Sequence, residues 1–276
     1  MMDTNIVSVP SSEGPVILHD AADFVGMRRA GRLAAEVLDY ITPFVQPGVT
    51  TGELDRLCDV FTRERGGISA PLGYKGFPKA TCISLNHVVC HGIPGDRRLE
   101  EGDIANVDVT VIVDGWHGDT SRMFLVGTKV SLKARRLVEV TRESLRRGIA
   151  AVRPGATLGD VGHAIQSYAE GAGFSVVRDF CGHGLGTTFH TAPSVMHYGQ
   201  PGRGLVLRPG MFFTIEPMIN AGRHDVKILD DGWTAVTRDK SLSAQAEHSL
   251  AVTEEGCEIF TLSPQGLDSF SEVRGP

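Results

Sequence analysis

Apolar residues recur at helical spacing over residues 21–45, where Phe24, Met27, Leu33, Val37 and Ile41 fall on one face. A second helix starts after the pair Thr50 and Glu53, a capping box, and carries Leu54, Leu57 and Phe61 inward. The period then shortens to two. Residues 106–113 (NVDVTVIV) alternate and are β-branched, Asp114-Gly115 is a two-residue hairpin turn, and residues 116–126 return as the partner strand. Further helices are predicted over 132–152 and 158–172, and strands over 211–215 and 243–252. Helices packed on antiparallel strands make the expected class α+β.

The hairpin sets a register. With so tight a turn Val113 faces Trp116 and Thr110 faces Asp119, so Asp119 is the diagonal neighbour of Asp108 on one face of the ribbon. An internal repeat extends the pattern to the second half. Pro47 to Leu54 (PGVTTGEL) recurs as Pro154 to Val161 (PGATLGDV), an offset of 107, and Gly102 ahead of Asp108 matches Gly210 ahead of Glu216 at an offset of 108. The chain reads as two copies of one helix-then-strand unit, each delivering a carboxylate from an equivalent strand, with a site between them.

Asp108, Asp119, Glu216 and Glu247, with His183 in FCGHGLG, form a candidate ligand set of four carboxylates and one imidazole. Glu216 is flanked by Phe212, Phe213, Ile215, Pro217 and Met218, and an acid in so apolar a run is rarely buried without a partner. Like charges gathered in an interior drive one another's pKa up, and two divalent cations would supply the missing positive charge. Oxygen-rich ligation with one imidazole points to Mn(II), Fe(II), Co(II) or Zn(II), and no CxxC motif suggests a thiolate zinc site. Paired ions that activate water and hold a carbonyl make amide hydrolysis the first reaction to test.

The strings CHGIP, VDVTV with HGDTS, GHGLG, TIEPM and AEHS, in this order over residues 24–262, resemble those of the methionine aminopeptidases. The resemblance implies the pita-bread fold, a pseudo-symmetric curved antiparallel sheet backed by helices. It implies removal of the initiator methionine from new polypeptides with a small, uncharged second residue, by attack of a metal-bridging water or hydroxide on the amide. The 31 residues from Glu216 to Glu247 leave no room for the inserted subdomain of the type 2 enzymes, so the resemblance is to type 1. By the same resemblance Asp108 holds the first metal, Asp119 and Glu247 bridge both, and His183 and Glu216 complete the second. Glu216 is also the expected general base. His91 is expected near the substrate amine and amide nitrogen, and His190 at the scissile carbonyl. Tyr74, Phe77, Cys82, Phe189 and Trp233 are expected to line the methionine pocket, where Pro71 replaces a cysteine of many bacterial relatives. Asn86, Val88 and Ser243 match a monovalent cation site.

Length and composition set the frame. With 276 residues and 41% of them hydrophobic, the chain has ample core for one domain, expected over 19–264, with residues 1–18 an extension of uncertain order and 265–276 a tail. No apolar run is long enough for a membrane span and no signal peptide is evident, so the expected compartment is the cytoplasm. The odd set of five cysteines fits reduced thiols without disulfides. A net charge of −6 argues against a general nucleic-acid surface. The expected partner is the nascent polypeptide N-terminus, with a transient ribosome contact and a monomeric state. Arg28-Arg29 and Arg146-Arg147 read as solvated helix faces. Two rivals share the fold. Prolidases and X-Pro aminopeptidases usually carry an added N-terminal domain, and non-catalytic modules have typically lost metal ligands.

Overall fold

Asp20 opens the first long helix: its carboxylate accepts from the N–H groups of Ala22 and Asp23, and Asp23 returns the bond to the backbone of Asp20. The structure is a computed structural model describing residues 7–268. This helix, α1 (Ala21–Ile41), stops short of the expected residue 45 because Pro43 turns the chain into a 3₁₀ turn, Thr42–Phe44. At α2 (Thr51–Glu64) only half of the expected capping box forms. Thr50 accepts from the N–H of Glu53, but the Glu53 carboxylate is taken by Arg56 at 2.7 and 2.8 Å.

Residues 8–17, expected as an extension of uncertain order, form a hairpin of β1 (Ser8–Ser11) and β2 (Gly14–Ile17). Val9 and Val16 are buried and join the core of the second half, among Leu158, Val195 and Leu207. Hydrophobic burial docks this segment, at about 1.5–3 kcal/mol for each fully buried aliphatic side chain. Residues 1–6, and the part of the expected tail after residue 268, lie outside the described residues. Ser263 and Gln265 are bound to the buried Asp39 of α1.

The strands of the first half are β3 (Ile68–Ser69), β4 (Cys82–Leu85), β5 (Val88–Cys90), β6 (Ile104–Val113) and β7 (Trp116–Leu125). After α3 (Leu132–Ala150) and α4 (Leu158–Gly171) come β8 (Ser175–Val176), β9 (Gly182–Gly184), β10 (Thr191–Val195), β11 (Phe212–Ile215), β12 (Met218–Asn220), β13 (Val226–Ile228) and β14 (Ala235–Thr237). Then follow β15 (Ser243–Gln245), β16 (Glu247–Val252) and β17 (Cys257–Ile259). The main antiparallel sheet runs β10-β9-β11-β16-β7-β6-β3, with β4 on β6 and β17 on β16, and smaller sheets join β15-β12-β8 and β13-β14-β5. The two halves meet where β7 pairs with β16.

Asp114 and Gly115, with φ of 50° and 85°, close the β6–β7 turn in the left-handed region that a two-residue hairpin demands. Val113 pairs with Trp116 and Thr110 with Asp119, the register read from the sequence. Val107, Val109 and Val111 therefore turn to α1 and α2, packing with Leu33, Val37 and Leu54, while Asn106, Asp108 and Thr110 turn to the opposite face. Gly118, next to Asp119, is where α1 crosses β7. A Cβ there would overlap the Ala30 backbone, so the helix sits against bare main chain.

The stretch 243–252, read as one strand, is two. Ser243–Gln245 pairs with β12 and Glu247–Val252 with β11 and β7, and the chain changes sheets at Ala246. Its partner does the same at Glu216-Pro217, between Ile215, which pairs with His248, and Met218, which pairs with Gln245. Proline cannot donate to a ladder, so the break falls where a ligand candidate must leave the sheet plane.

Candidate active site

Five neighbouring strands contribute one residue each to a single cluster. Asp108 comes from β6, Asp119 from β7, Glu247 from the start of β16, Glu216 from just past the end of β11, and His183 from the middle of β9. All five line one cavity of 320 Å³. Around them the same cavity is lined by His91, His190, Tyr74, Phe77, Cys82, Phe189 and Trp233, so every residue expected for catalysis or the methionine pocket reaches it, and Pro71 does too. A wider hollow of 620 Å³ between Arg178, Arg223 and Asp239 lies elsewhere and has none of these convergent ligands.

Hydrogen bonds fix the cluster. Thr110 Oγ1 donates to Asp119 Oδ1 at 2.7 Å, and Thr214 Oγ1 donates to Glu216 Oε1 at 2.8 Å. That same Thr214 oxygen accepts the backbone N–H of His183 at 3.0 Å, so one hydroxyl holds two ligand candidates in place. Gln245 Nε2 donates to Glu216 Oε2 at 3.2 Å, and the Glu216 N–H donates to His197 Nε2 at 3.1 Å. Sequence reasoning placed Thr110 opposite Asp119 but missed the other supports. Thr214 and Gln245 stand two residues before Glu216 and Glu247, a spacing that could have suggested a shared face. His197 carries no such signal.

The charge balance is lopsided. Asp119 and Glu247 are buried, and the half-buried Asp108 and Glu216 line the cavity. None of the four carboxylates is paired with a lysine or arginine among the described residues. Burial, then the neighbouring Asp119 and Glu216, holds the Asp108 carboxyl well above its usual range. Glu247 is raised likewise by burial and by Asp119, Glu216 and Asp108. The Glu216 carboxyl is pushed up to about 7 by burial, with His183 opposing and Asp119 adding to the rise. Burial alone would lower His183, but Asp119 and Glu216 outweigh it and raise the ring above its ordinary value.

A cation fits this donor set. His183 Nδ1 lies 3.1 Å from the Gly184 carbonyl, which accepts its proton, and Nε2 stands 3.5 Å from Asp119 Oδ2 and 3.6 Å from Glu216 Oε1. Without a metal these carboxylates favour a proton on Nε2, whose place a cation would take, and a histidine whose other nitrogen donates to a carbonyl is oriented as a metal ligand. Ligand atoms of Asp119, His183 and Glu247 all lie within 4.8 Å of one another.

The walls are aromatic. Phe77 meets Trp233 edge to face at 5.2 Å, and His91 presents its ring to Phe180 at 5.5 Å and to Trp233 at 6.2 Å. His91 itself has φ of 55°, a left-handed conformation that a side chain seldom takes and that recurs where a site dictates the backbone. Desolvation lowers its pKa, and desolvation followed by His183 lowers that of His190. Both rings are neutral near pH 7.

The other expected groups lie away from this cavity. Ser243 N–H donates to the Asn86 carbonyl at 2.7 Å, which brings β15 to the turn between Asn86 and Val88, and Ser243 Oγ is buried with no hydrogen-bond partner among the described residues. The basic clusters are ion-paired: Arg28 with Glu258, Arg29 with Asp114, and Arg146 and Arg147 with Glu143. The five cysteines are free thiols, and among the described residues no helix is long and apolar enough to cross a membrane.

Comparison with known proteins gives a consistent set of likenesses. The profile of metallopeptidase family M24 matches residues 25–254. A methionine aminopeptidase of Rickettsia prowazekii is 60% identical over 252 residues, covering 91% of this chain and 97% of that protein. Methionine aminopeptidase A of Synechocystis is 62% identical over 237 residues, covering 86% and 93%. The crystal structure of the Rickettsia prowazekii methionine aminopeptidase superposes with a TM-score of 0.89 at 59% identity, covering 90% of this chain and all of that one.

Proposed function

The chain belongs to metallopeptidase family M24, and from that premise we infer that it is a methionine aminopeptidase, removing the initiator methionine from new polypeptides whose second residue is small and uncharged. The observation that carries this reading is the single cavity in which four carboxylates and an imidazole stand beside an aromatic, mostly apolar pocket. Such a pocket suits a thioether side chain, which offers shape and polarisability and little else to recognise. As a domain, residues 19–264 are read as one catalytic unit.

We assign Asp108, Asp119, His183, Glu216 and Glu247 to hold two divalent ions, of Mn, Fe, Co or Zn. Bound there, the ions would supply the positive charge that four carboxylates lack and make water more acidic. Glu216 is assigned as the general base that takes a proton from the attacking water and returns it to the leaving nitrogen. We assign His190 to donate to the scissile carbonyl oxygen as negative charge develops on it. His91 orients the substrate amine and amide nitrogen. Tyr74, Phe77, Cys82, Phe189 and Trp233 enclose the methionine side chain and exclude water from it.

The unpartnered Ser243 Oγ beside Asn86 supports a weaker reading of a monovalent cation at Asn86, Val88 and Ser243. We further propose a cytoplasmic monomer that meets its substrates at the ribosome without binding nucleic acid sequence-specifically. The decisive experiment strips the protein of metal, restores Mn(II) or Co(II), and offers Met-Ala-Ser beside Gly-Pro with a chelator control. Metal-dependent release of methionine alone is expected. Cleavage of only the prolyl dipeptide would move the protein to the prolidase branch of the fold, and no cleavage with metal bound would make it a binding module.

A further inference from the structure

Tyr74 and His190 come from opposite halves of the chain and meet at the edge of the cavity. The phenol oxygen lies 2.9 Å from Nδ1 of His190, and the two rings stack at 5.2 Å with an interplanar angle of 27°. Phe189 packs against both rings, at 4.8 Å from Tyr74 and 4.1 Å from His190. The loop that carries Tyr74 is itself held. Gly73, with φ of 83°, donates to the Phe77 carbonyl at 2.8 Å, and Phe77 donates back to the Tyr74 carbonyl at 2.9 Å. Neither the Tyr74 hydroxyl nor Nε2 of His190 makes another hydrogen bond among the described residues.

A neutral imidazole carries its proton on one nitrogen, and the partner of the other nitrogen decides which. Two arrangements fit 2.9 Å: the phenol donates to a bare Nδ1, or Nδ1–H donates to the phenol. A phenolic O–H is a far stronger acid than a neutral imidazole N–H, and an imidazole lone pair is a far stronger acceptor than a phenol oxygen. The first arrangement therefore prevails, and the ring proton resides on Nε2, the nitrogen left for the substrate.

We propose that Tyr74 is a positioning residue whose hydroxyl, by donating to Nδ1 of His190, holds that ring in the tautomer that presents Nε2–H to the scissile carbonyl oxygen. The inference rests on the reading of His190 as a carbonyl donor and adds a second duty to a residue otherwise counted as pocket wall. With the hydroxyl gone, the two tautomers become close in energy, and molecules with a bare Nε2 turn a lone pair toward a developing oxyanion. Tyr74→Phe removes one oxygen and keeps the aromatic wall.

The test uses zinc-loaded enzyme labelled with ¹⁵N-histidine, the His190 signals being assigned by their loss in His190→Asn. In the wild type the expected spectrum shows His190 protonated at Nε2 and bare at Nδ1, and in Tyr74→Phe both signals move to averaged values. With Met-Ala-Ser, Tyr74→Phe is expected to lower kcat by about tenfold with KM changed by less than about threefold. A proton on Nδ1 in the wild type overturns the inference without any variant. So does a Tyr74→Phe enzyme whose kcat stays within about twofold of wild type, even if its KM rises, because Tyr74 would then be pocket wall and nothing more. Failure of the underlying function looks different: the wild type itself would release no methionine.

Discussion

The backbone N–H of Glu216 donates to Nε2 of His197 at 3.1 Å, and that imidazole is fully buried, with a pKa pushed by burial down to about 3. A neutral ring with its proton on Nδ1 is the species that accepts this bond. It holds the main chain where Glu216 leaves one sheet for another. His197→Ala leaves a buried N–H unsatisfied beside a cavity and is expected to cost about 3 kcal/mol, read from urea midpoints. His197→Gln, whose amide oxygen reaches the same place, should recover more turnover than the alanine variant. Equal losses in the two would show that the bond does not position Glu216.

His183→Ala and Glu216→Ala are expected to abolish methionine release while far-UV circular dichroism stays native. Substantial activity in either would remove that residue from the assigned ligand set. His190→Ala should lower kcat far more than it lowers metal content measured by elemental analysis, and loss of the metal instead would make it a support of the cluster.

Metal-free protein should lose stability as pH rises. Glu216 titrates at about 7 in the fold, against about 4.3 in an unfolded chain, and Asp108, Glu247 and His183 are raised in the same sense. The folded state thus binds more protons than the unfolded one between these values. Stability is complete below the unfolded carboxylate value and is lost as pH climbs through about 7. Divalent ions replace those protons, so urea midpoints with Mn(II) should show little of this fall and should rise with ion concentration. A metal-free midpoint that is flat or rising from about pH 5 to pH 8 would contradict the charge balance of the cluster.

Gly118→Ala tests the contact that seats α1 on β7. The added methyl would meet the Ala30 backbone, which cannot swing aside as a side chain does. Overpacking of this kind costs about 1–3 kcal/mol or more, and the shift is transmitted to Asp119, the next residue. A lower urea midpoint together with weaker metal binding is the expected result, and a variant with wild-type values for both would mean that the helix moves freely.

Local patterns carried much of this protein. Periodicity revealed the four long helices and the β6–β7 hairpin because each is fixed by residues a few positions apart: Asp114-Gly115 set the turn, and two-residue alternation then put Asp108 and Asp119 on one face. The repeat revealed a second half with Glu216 in the place of Asp108, the local strings around His183 and Glu247 added the rest of the candidate set, and resemblance to a known family gave each residue its role. The sequence did not reveal the break at Ala246. Residues 243–252 have uniform strand character, and which sheet each part joins depends on strands far away in the chain.

The sequence by itself thus determined which residue types were available and, through short-range pattern, which of them share a face. Only the tertiary structure decided that β6, β7, β16, β11 and β9 lie side by side, that Thr214 bonds both His183 and Glu216, that His197 lies under Glu216, and that the first hairpin closes on the core. The physical reason is range. Turns, caps and alternation are settled by backbone sterics and hydrogen bonds between near neighbours, whereas strand order and burial are settled by the hydrophobic surface the whole chain removes from water at once.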